Sequence, residues 1–239
     1  MGNASSLKHH IETAEKTGVI QLSKSNLRDI PKDLLQISQQ IRTLDLNTNR
    51  LQRLSDSISS FKNLKILNLN HNKLKFVSAH LGQLEKLESL LLEDNLLETL
   101  PNELGRLSNL KTLNLSRNSF RTFPLPVCSL KSLELLDLSH NEIESIPDEV
   151  GASQASEINL NNNKLKKLND SLTKCAKLKV LRLDNNQVEL AAFTKPILTE
   201  SKICLLSVEN NPFTLKQLQD KDGFEEYSKR YTSTKRKMI

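Results

Sequence analysis

Ile41-Arg42-Thr43-Leu44-Asp45-Leu46-Asn47-Thr48-Asn49-Arg50-Leu51-Gln52-Arg53-Leu54 is the stretch that decides the architecture of this 239-residue chain. Counted from Ile41, aliphatic residues stand at positions one, four, six, eleven and fourteen, and an asparagine stands at position nine. The spacing returns as Leu64, Leu67, Leu69, Asn72, Leu74 and Val77. It returns again from Leu87, Leu110 and Leu133, so that five copies start 23 residues apart. Ala155, Leu178 and Ile203 open three more at spacings of 22, 23 and 25. A degenerate copy, Thr17, Ile20, Leu22, Ser25, Leu27 and Ile30, precedes them all and brings the number to nine.

A fixed period of this length means stacked units, none of which can bury its apolar face alone. Leucines at positions four and six point to one side of a short strand, because side chains alternate with period two. Neighbouring copies then pair as parallel strands about 4.7–4.9 Å apart. The asparagine at position nine has two donors and an acceptor for the backbone of its own turn and the next. Asn49, Asn72, Asn95, Asn118, Asn141, Asn163, Asn186 and Asn211 are therefore expected to form a structural ladder. Pro31, Pro101, Pro124 and Pro147 should hold an extended return segment. Leu81 with Leu84, Leu104 with Leu107, and Val127 with Leu130 should close the core from the convex side. The pattern matches the leucine-rich repeat, L-x-x-L-x-L-x-x-N-x-L. It implies an α/β solenoid, a leucine-rich-repeat horseshoe arc of about nine units with N- and C-terminal caps.

The expected organisation is a lipidation motif and helical cap over 1–16, the solenoid over 17–213, and a C-terminal cap with a basic tail over 214–239. Ser5 or Ser6 can cap the first helix, Leu7, Ile11 and Ala14 share its inner face, and Gly18 ends it. Leu215, Leu218, Phe224, Tyr227 and Tyr231 are spaced to cover the last repeat. Ser153, Ala155 and Lys195 stand where the pattern calls for aliphatic residues, so looseness is expected around 151–156 and 189–202.

Positions three, five and seven face away from the core and make a concave sheet surface. The candidate partner-binding residues on it are Asp45, Ile66, Asn68, Leu91, Glu93, Asn114, Leu135, Asp137, Glu157, Asn159, Val180, Arg182 and Asp184. Position seven also supplies Ser116, Ser139 and Glu209. Across these positions six residues are acidic (Asp45, Glu93, Asp137, Glu157, Asp184, Glu209) and Arg182 alone is basic. A phosphate-binding face would carry the opposite sign. Carboxylates mixed with apolar spots at Ile66, Leu91, Leu135 and Val180 suit a protein partner with a basic or polar patch.

Charge and composition bound the alternatives. The net charge is +6, and Lys229, Arg230, Lys235, Arg236 and Lys237 supply +5 of it, so the remainder of the chain is nearly neutral. A nucleic-acid partner is therefore not expected; salt-dependent binding lost on deleting 229–239 is what that reading requires. Asp137 and Glu157 on adjacent strands invite a test as an acid–base pair, but no pocket or lid accompanies them. His71 and His140 lie three units apart, too far to share a metal. There is no phosphate loop, no G-x-S-x-G and no Cys–His arrangement. No catalytic residue, metal or cofactor is expected. The other open reading is a regulatory subunit of a signalling enzyme, in a phosphatase or small-GTPase pathway. Cys128, Cys175 and Cys204 fall within the apolar pattern and are expected to be small buried thiols. The chain opens without an apolar run, so no signal peptide or membrane span is expected. A cytoplasmic monomer, peripheral to the membrane through a lipid, is the expectation.

That lipid is read from Met1-Gly2-Asn3-Ala4-Ser5-Ser6-Leu7-Lys8, which fits the N-myristoylation pattern M-G-x-x-x-[ST], with Gly2 as the acceptor. One myristoyl chain binds a bilayer only marginally, with K about 10⁴ M⁻¹, so a second signal is needed. The basic cluster at 229–239 is the candidate, although about 40 Å of stacked strands separates the two ends. Weak, switchable association is expected.

Several segments outside the generic repeat resemble the leucine-rich repeat-containing protein 57 type. They are Met1-Gly2-Asn3, Thr13-Ala14-Glu15-Lys16-Thr17-Gly18-Val19, Ile203-Cys204-Leu205-Leu206, and Tyr227-Ser228-Lys229-Arg230-Tyr231-Thr232-Ser233-Thr234-Lys235-Arg236-Lys237. The resemblance implies a lipid-anchored intracellular repeat protein and no catalytic residues. More distantly, the 23-residue units with proline resemble those of Ras-pathway scaffold proteins, which bind small GTPases and phosphatases.

Overall fold

The computed structural model describes residues 2–237, with side-chain surroundings for residues 9–233. One parallel sheet of nine strands runs in chain order. Its strands are β1 Val19–Gln21, β2 Thr43–Asp45, β3 Ile66–Asn68, β4 Ser89–Leu91, β5 Thr112–Asn114, β6 Leu135–Asp137, β7 Glu157–Asn159, β8 Val180–Arg182 and β9 Leu205–Ser207. The register places Ile20, Leu44, Leu67, Leu90, Leu113, Leu136, Ile158, Leu181 and Leu206 in one line. All of these except Leu206 are fully buried. This is the inward ladder that position four requires.

Strands stay three residues long because position eight turns the chain. Thr48, His71, Asp94, Arg117, His140, Asn162, Asn185 and Asn210 all adopt φ between 53° and 57°. For an L-residue this left-handed conformation costs about 1–2 kcal/mol. The hydrogen bonds of the asparagine that follows offset that cost. Its side chain can fold back onto the strand only because position eight has reversed direction.

On the convex side Pro31, Pro101, Pro124 and Pro147 are extended, with ψ from 102° to 166°. The extended return is shorter than the sequence reading implied, because each proline leads straight into a 3-10 turn. Where no proline stands, Ser55, Ser78 and Asn169 take its place, and their side chains accept the N–H of Ser57, His80 and Ser171. A 3-10 turn is narrower than an α-helix, whose diameter is about 10–12 Å, and so stacks at a pitch closer to that of the sheet. Leu81, Leu84, Leu104, Leu107, Val127 and Leu130 are fully buried beneath these turns.

The segment expected to be loose at 189–202 is instead packed. It forms a 3-10 turn, Leu190–Ala192, and the helix α2, Lys195–Glu200, capped by Thr194. Ile197 and Leu198 turn into the core, while Lys195 points outward. The two extra residues of this unit accommodate the wider helix. At 151–156, Ser153 is buried and its Oγ accepts the N–H of Ala155 at 3.3 Å, so the polar residue is satisfied rather than loose.

Both sheet edges are covered. The helix α1, Gly2–Thr17, packs on β1 with Ala14 fully buried and Ile11 half-buried. Ser5 and Ser6 lie inside this helix and do not cap it, and the side chain of Leu7 lies outside the described surroundings. Gly18, at φ 73°, ends the helix by donating to the carbonyl of Ala14 at 2.8 Å. At the far end lie α3, Leu215–Gln219, and α4, Phe224–Lys237. Leu218 and Tyr227 are buried, Phe224 is half-buried, and the Tyr227 hydroxyl accepts the edge N–H of Leu206 at 3.0 Å. Leu215 and Tyr231 do not cover the last repeat as the spacing suggested; they are 60% and 41% exposed. The short α3 turns only Leu218 inward, and Tyr231 lies a turn beyond Tyr227, stacking on its ring.

Two charges of the basic cluster are likewise engaged. Lys229 pairs with Glu226 at 2.9 Å and Glu225 at 3.4 Å. Arg230 donates to the carbonyls of Ile203, Thr199 and Leu198 at 3.1, 3.2 and 2.5 Å, closing the C-terminal end of α2. The side chains of Lys235, Arg236 and Lys237 lie outside the described surroundings. Replacing Arg230 with Ala frees three carbonyls at a partly hydrated site. The expected loss is about 1–2 kcal/mol, read as a lower midpoint in urea unfolding, with Arg230→Lys recovering part of it.

Candidate functional site: the concave sheet face

The sheet sets two columns of side chains side by side. Position three contributes Thr43, Ile66, Ser89, Thr112, Leu135, Glu157, Val180 and Leu205. Position five contributes Asp45, Asn68, Leu91, Asn114, Asp137, Asn159, Arg182 and Ser207. Ile66 and Leu135 are exposed, at 40% and 38%. Leu91 and Val180 are half-buried by their neighbours. Val180 stands directly beside Leu205 in the register, so a second apolar spot forms at the C-terminal half of the arc. Leu205 belongs with the partner-facing residues on this geometry. Its repeat position, three, already placed it on the concave face, but the sequence reading did not count it among the apolar spots.

The polar residues are knitted to one another. Asn114 Nδ2 donates to Glu93 Oε2 at 3.4 Å, and Asn159 Nδ2 donates to Asp137 Oδ2 at 3.2 Å. Asp184 accepts the Ser207 hydroxyl and the N–H of Glu209, and Asp45 accepts the N–H of Asn47 at 2.9 Å. Asn68 Oδ1 accepts the N–H of Asn70 at 3.1 Å. These bonds fix the side chains in place and lower the entropy lost when a partner docks.

Three corrections follow from the geometry. The face is less acidic than the residue count implied. Arg182 pairs with Glu157 at 2.8 Å, and Arg117 reaches Glu93 at 3.7 Å from the turn at position eight. Arg117 was missed because position eight was read as turn only. Ser116 and Ser139 at position seven are buried and are not part of the exposed face. Asp137 and Glu157 are not opposed: Glu157 faces Leu135 and Asp137 faces Asn159. They form no acid–base pair.

The remaining candidates for chemistry have structural partners. His71 Nδ1 lies 2.8 Å from Asp94 Oδ2, and His140 Nε2 lies 3.3 Å from Asn162 Nδ2. Among the described residues no group of three His, Cys, Asp or Glu side chains could hold a metal ion. Cys128, Cys175 and Cys204 are free and buried. Burial pushes the thiol of Cys128 up to about 12 and that of Cys175 up to about 11, far from the thiolate that nucleophilic chemistry needs. Each of the eight ladder asparagines donates to a backbone carbonyl of the preceding unit, besides carbonyls of its own turn, which commits it to the fold. Among the described residues no helix is long and apolar enough to cross a membrane.

A curved parallel sheet with a rigid, partly apolar inner face and 3-10 turns behind it defines a repeat protein of the binding-scaffold kind. The chain belongs to the leucine rich repeat family, whose description matches residues 39–97, 62–120, 85–143 and 131–188. Two solved structures show the likeness. A leucine-rich-repeat protein of Leptospira interrogans is 28% identical, with a TM-score of 0.56, covering 86% of this chain and 67% of its own. The plant peptide hormone receptor RGFR1, solved in complex with RGF2, is 26% identical with a TM-score of 0.67, covering 81% of this chain. The match spans 32% of the receptor, so this chain corresponds to about a third of its length.

Proposed function

We propose that this chain is a non-enzymatic adaptor or scaffold that takes a protein partner on its concave face. The observation that carries the reading is the set of exposed or half-exposed apolar side chains, Ile66, Leu91, Leu135 and Val180, held among hydrogen-bonded polar ones. Such a mosaic supplies apolar anchors within a polar surround. The receptor likeness supports it, since that repeat protein was solved with a peptide hormone bound. Affinity capture from cells with the intact chain, set beside Leu91→Arg with Leu135→Arg, tests the face. Partners should drop away from the double variant while its unfolding midpoint holds, because both side chains point outward. Equal recovery by the two proteins rejects the concave face.

The second part of the proposal is peripheral membrane attachment through a myristoyl group on Gly2. The motif at the start of the chain and the resemblance to the leucine-rich repeat-containing protein 57 type support it. In cells, Gly2→Ala should shift the protein from the membrane to the soluble fraction. Unchanged partitioning rejects the acyl anchor.

A further inference from the structure

Where units one to three leave the asparagine turn, on the flank beside the concave face, the structure forms a cleft of about 710 Å³. Arg28, Arg50, Arg53, Lys73 and Lys75 line it together with Phe76, and Asp29 is the one acid in the lining. All five cations are exposed, and among the described residues none of them makes an ion pair. On the neighbouring flank, by contrast, acids are interleaved with cations: Glu88 bridges Lys65 and Lys111. Phe76 is 57% exposed beside the cations. The scaffold under the cleft is fixed by backbone bonds, Arg50 to Leu27 at 2.7 Å and Lys73 to Leu51 at 2.9 Å, and by a parallel bridge between Arg53 and Phe76.

We propose that this cleft is a membrane-contact site for the phosphate-bearing headgroups of anionic phospholipids, with Phe76 entering the interfacial layer. Convergent cations, five against the single acid Asp29, suit phosphate oxygens, and an exposed aromatic among them suits the boundary between headgroups and acyl chains. The next unit adds Leu96, 46% exposed at the same repeat position as Arg50 and Lys73. A nucleic-acid strand would need the positive groove to continue. Instead Glu98, Glu142 and Glu144 at the equivalent positions interrupt it, with Arg121 alone between them, before cations resume at Lys164, Lys166 and Lys167. The cleft also lies at the end of the solenoid where α1 packs, the end that carries Gly2. It thus supplies the second membrane signal without spanning the arc. The C-terminal cluster is less suited, with Lys229 and Arg230 already engaged. The inference deepens the membrane part of the function proposed above and rests on it for its role in the cell.

The test uses the full chain without its acyl group, so that it stands apart from the myristoyl reading. Co-sedimentation is measured with phosphatidylcholine vesicles, alone and containing phosphatidylserine or a phosphoinositide. The chain should bind only the anionic vesicles, and less so as salt rises. Arg50→Glu with Lys73→Glu should lower that binding by at least about tenfold. Phe76→Ser should lower it too, without changing net charge. Lys166→Glu with Lys167→Glu, the same charge change on the same flank of a distant unit, should leave it nearly intact. No binding to anionic vesicles, an equal loss in the distant variant, or tighter binding to a single-stranded oligonucleotide than to vesicles would each overturn the proposal. Failure of the acylated protein to bind neutral vesicles would instead count against the acyl anchor.

Discussion

Asn95→Ala should destabilise the protein by about 3–5 kcal/mol, the largest effect expected of any single surface-neutral replacement in the sheet turns. Asn95 is 5% exposed. Its Nδ2 donates to the carbonyls of Leu69 and Leu92 at 3.0 and 3.1 Å, and its Oδ1 accepts the N–H of Leu74 at 3.0 Å. Alanine removes these three bonds and a fourth, to the carbonyl of Glu93 at 3.2 Å, and leaves most of their partners buried. Each unsatisfied buried group costs about 1–3 kcal/mol, and water cannot enter a stack this close without opening it. The loss also severs contacts between units, so chemical unfolding should become broader or split into two steps. Asn211 makes the same bonds at the last unit but is only half-buried, with its outer side open to solvent. Asn211→Ala should cost less than half as much. Equal losses at the two positions would mean that burial does not set the ladder's strength.

The second large effect is expected of Gly82→Ala, at about 3 kcal/mol. Gly82 lies in the 3-10 turn Ala79–Gln83, and a methyl group there would sit 2.2 Å from the carbonyl oxygen of Glu103 and 2.8 Å from its carbon. Both atoms are backbone of the next unit, so no rotamer change relieves the clash. The convex turns of units three and four must part, which opens the core over Leu81 and Leu104. By local propensity the substitution should stabilise, since alanine costs a regular backbone less than glycine does. The sign of the measured change therefore separates local from inter-unit control. A thermal midpoint equal to or above that of the parent would show that the turns slide freely. Gly105, whose added methyl would meet the Ser129 Cβ at 3.0 Å and the Pro126 oxygen at 3.2 Å, should tolerate alanine better.

Much of this molecule is legible from one 14-residue stretch. Ile41 to Leu54 states the inward positions, the turn asparagine and the period, and each of these depends only on neighbours in sequence or on an identical neighbour one unit away. A repeat presents the same environment again and again, so a local pattern carries global information. The nine strands, their register and the buried ladder follow from it.

What the pattern left open depends on which side chains meet between units that are not identical. Arg117 reaching Glu93, Arg182 holding Glu157, and Arg230 closing α2 each join residues at least 24 apart whose pairing no repeat position announces. The cleft under Phe76 arises in the same way, from cations of three successive units gathered on one flank. Periodicity determined the shape of the arc because shape needs only that every unit be alike. The surface chemistry was decided in the folded arc, because charge pairing and exposure depend on where the units differ.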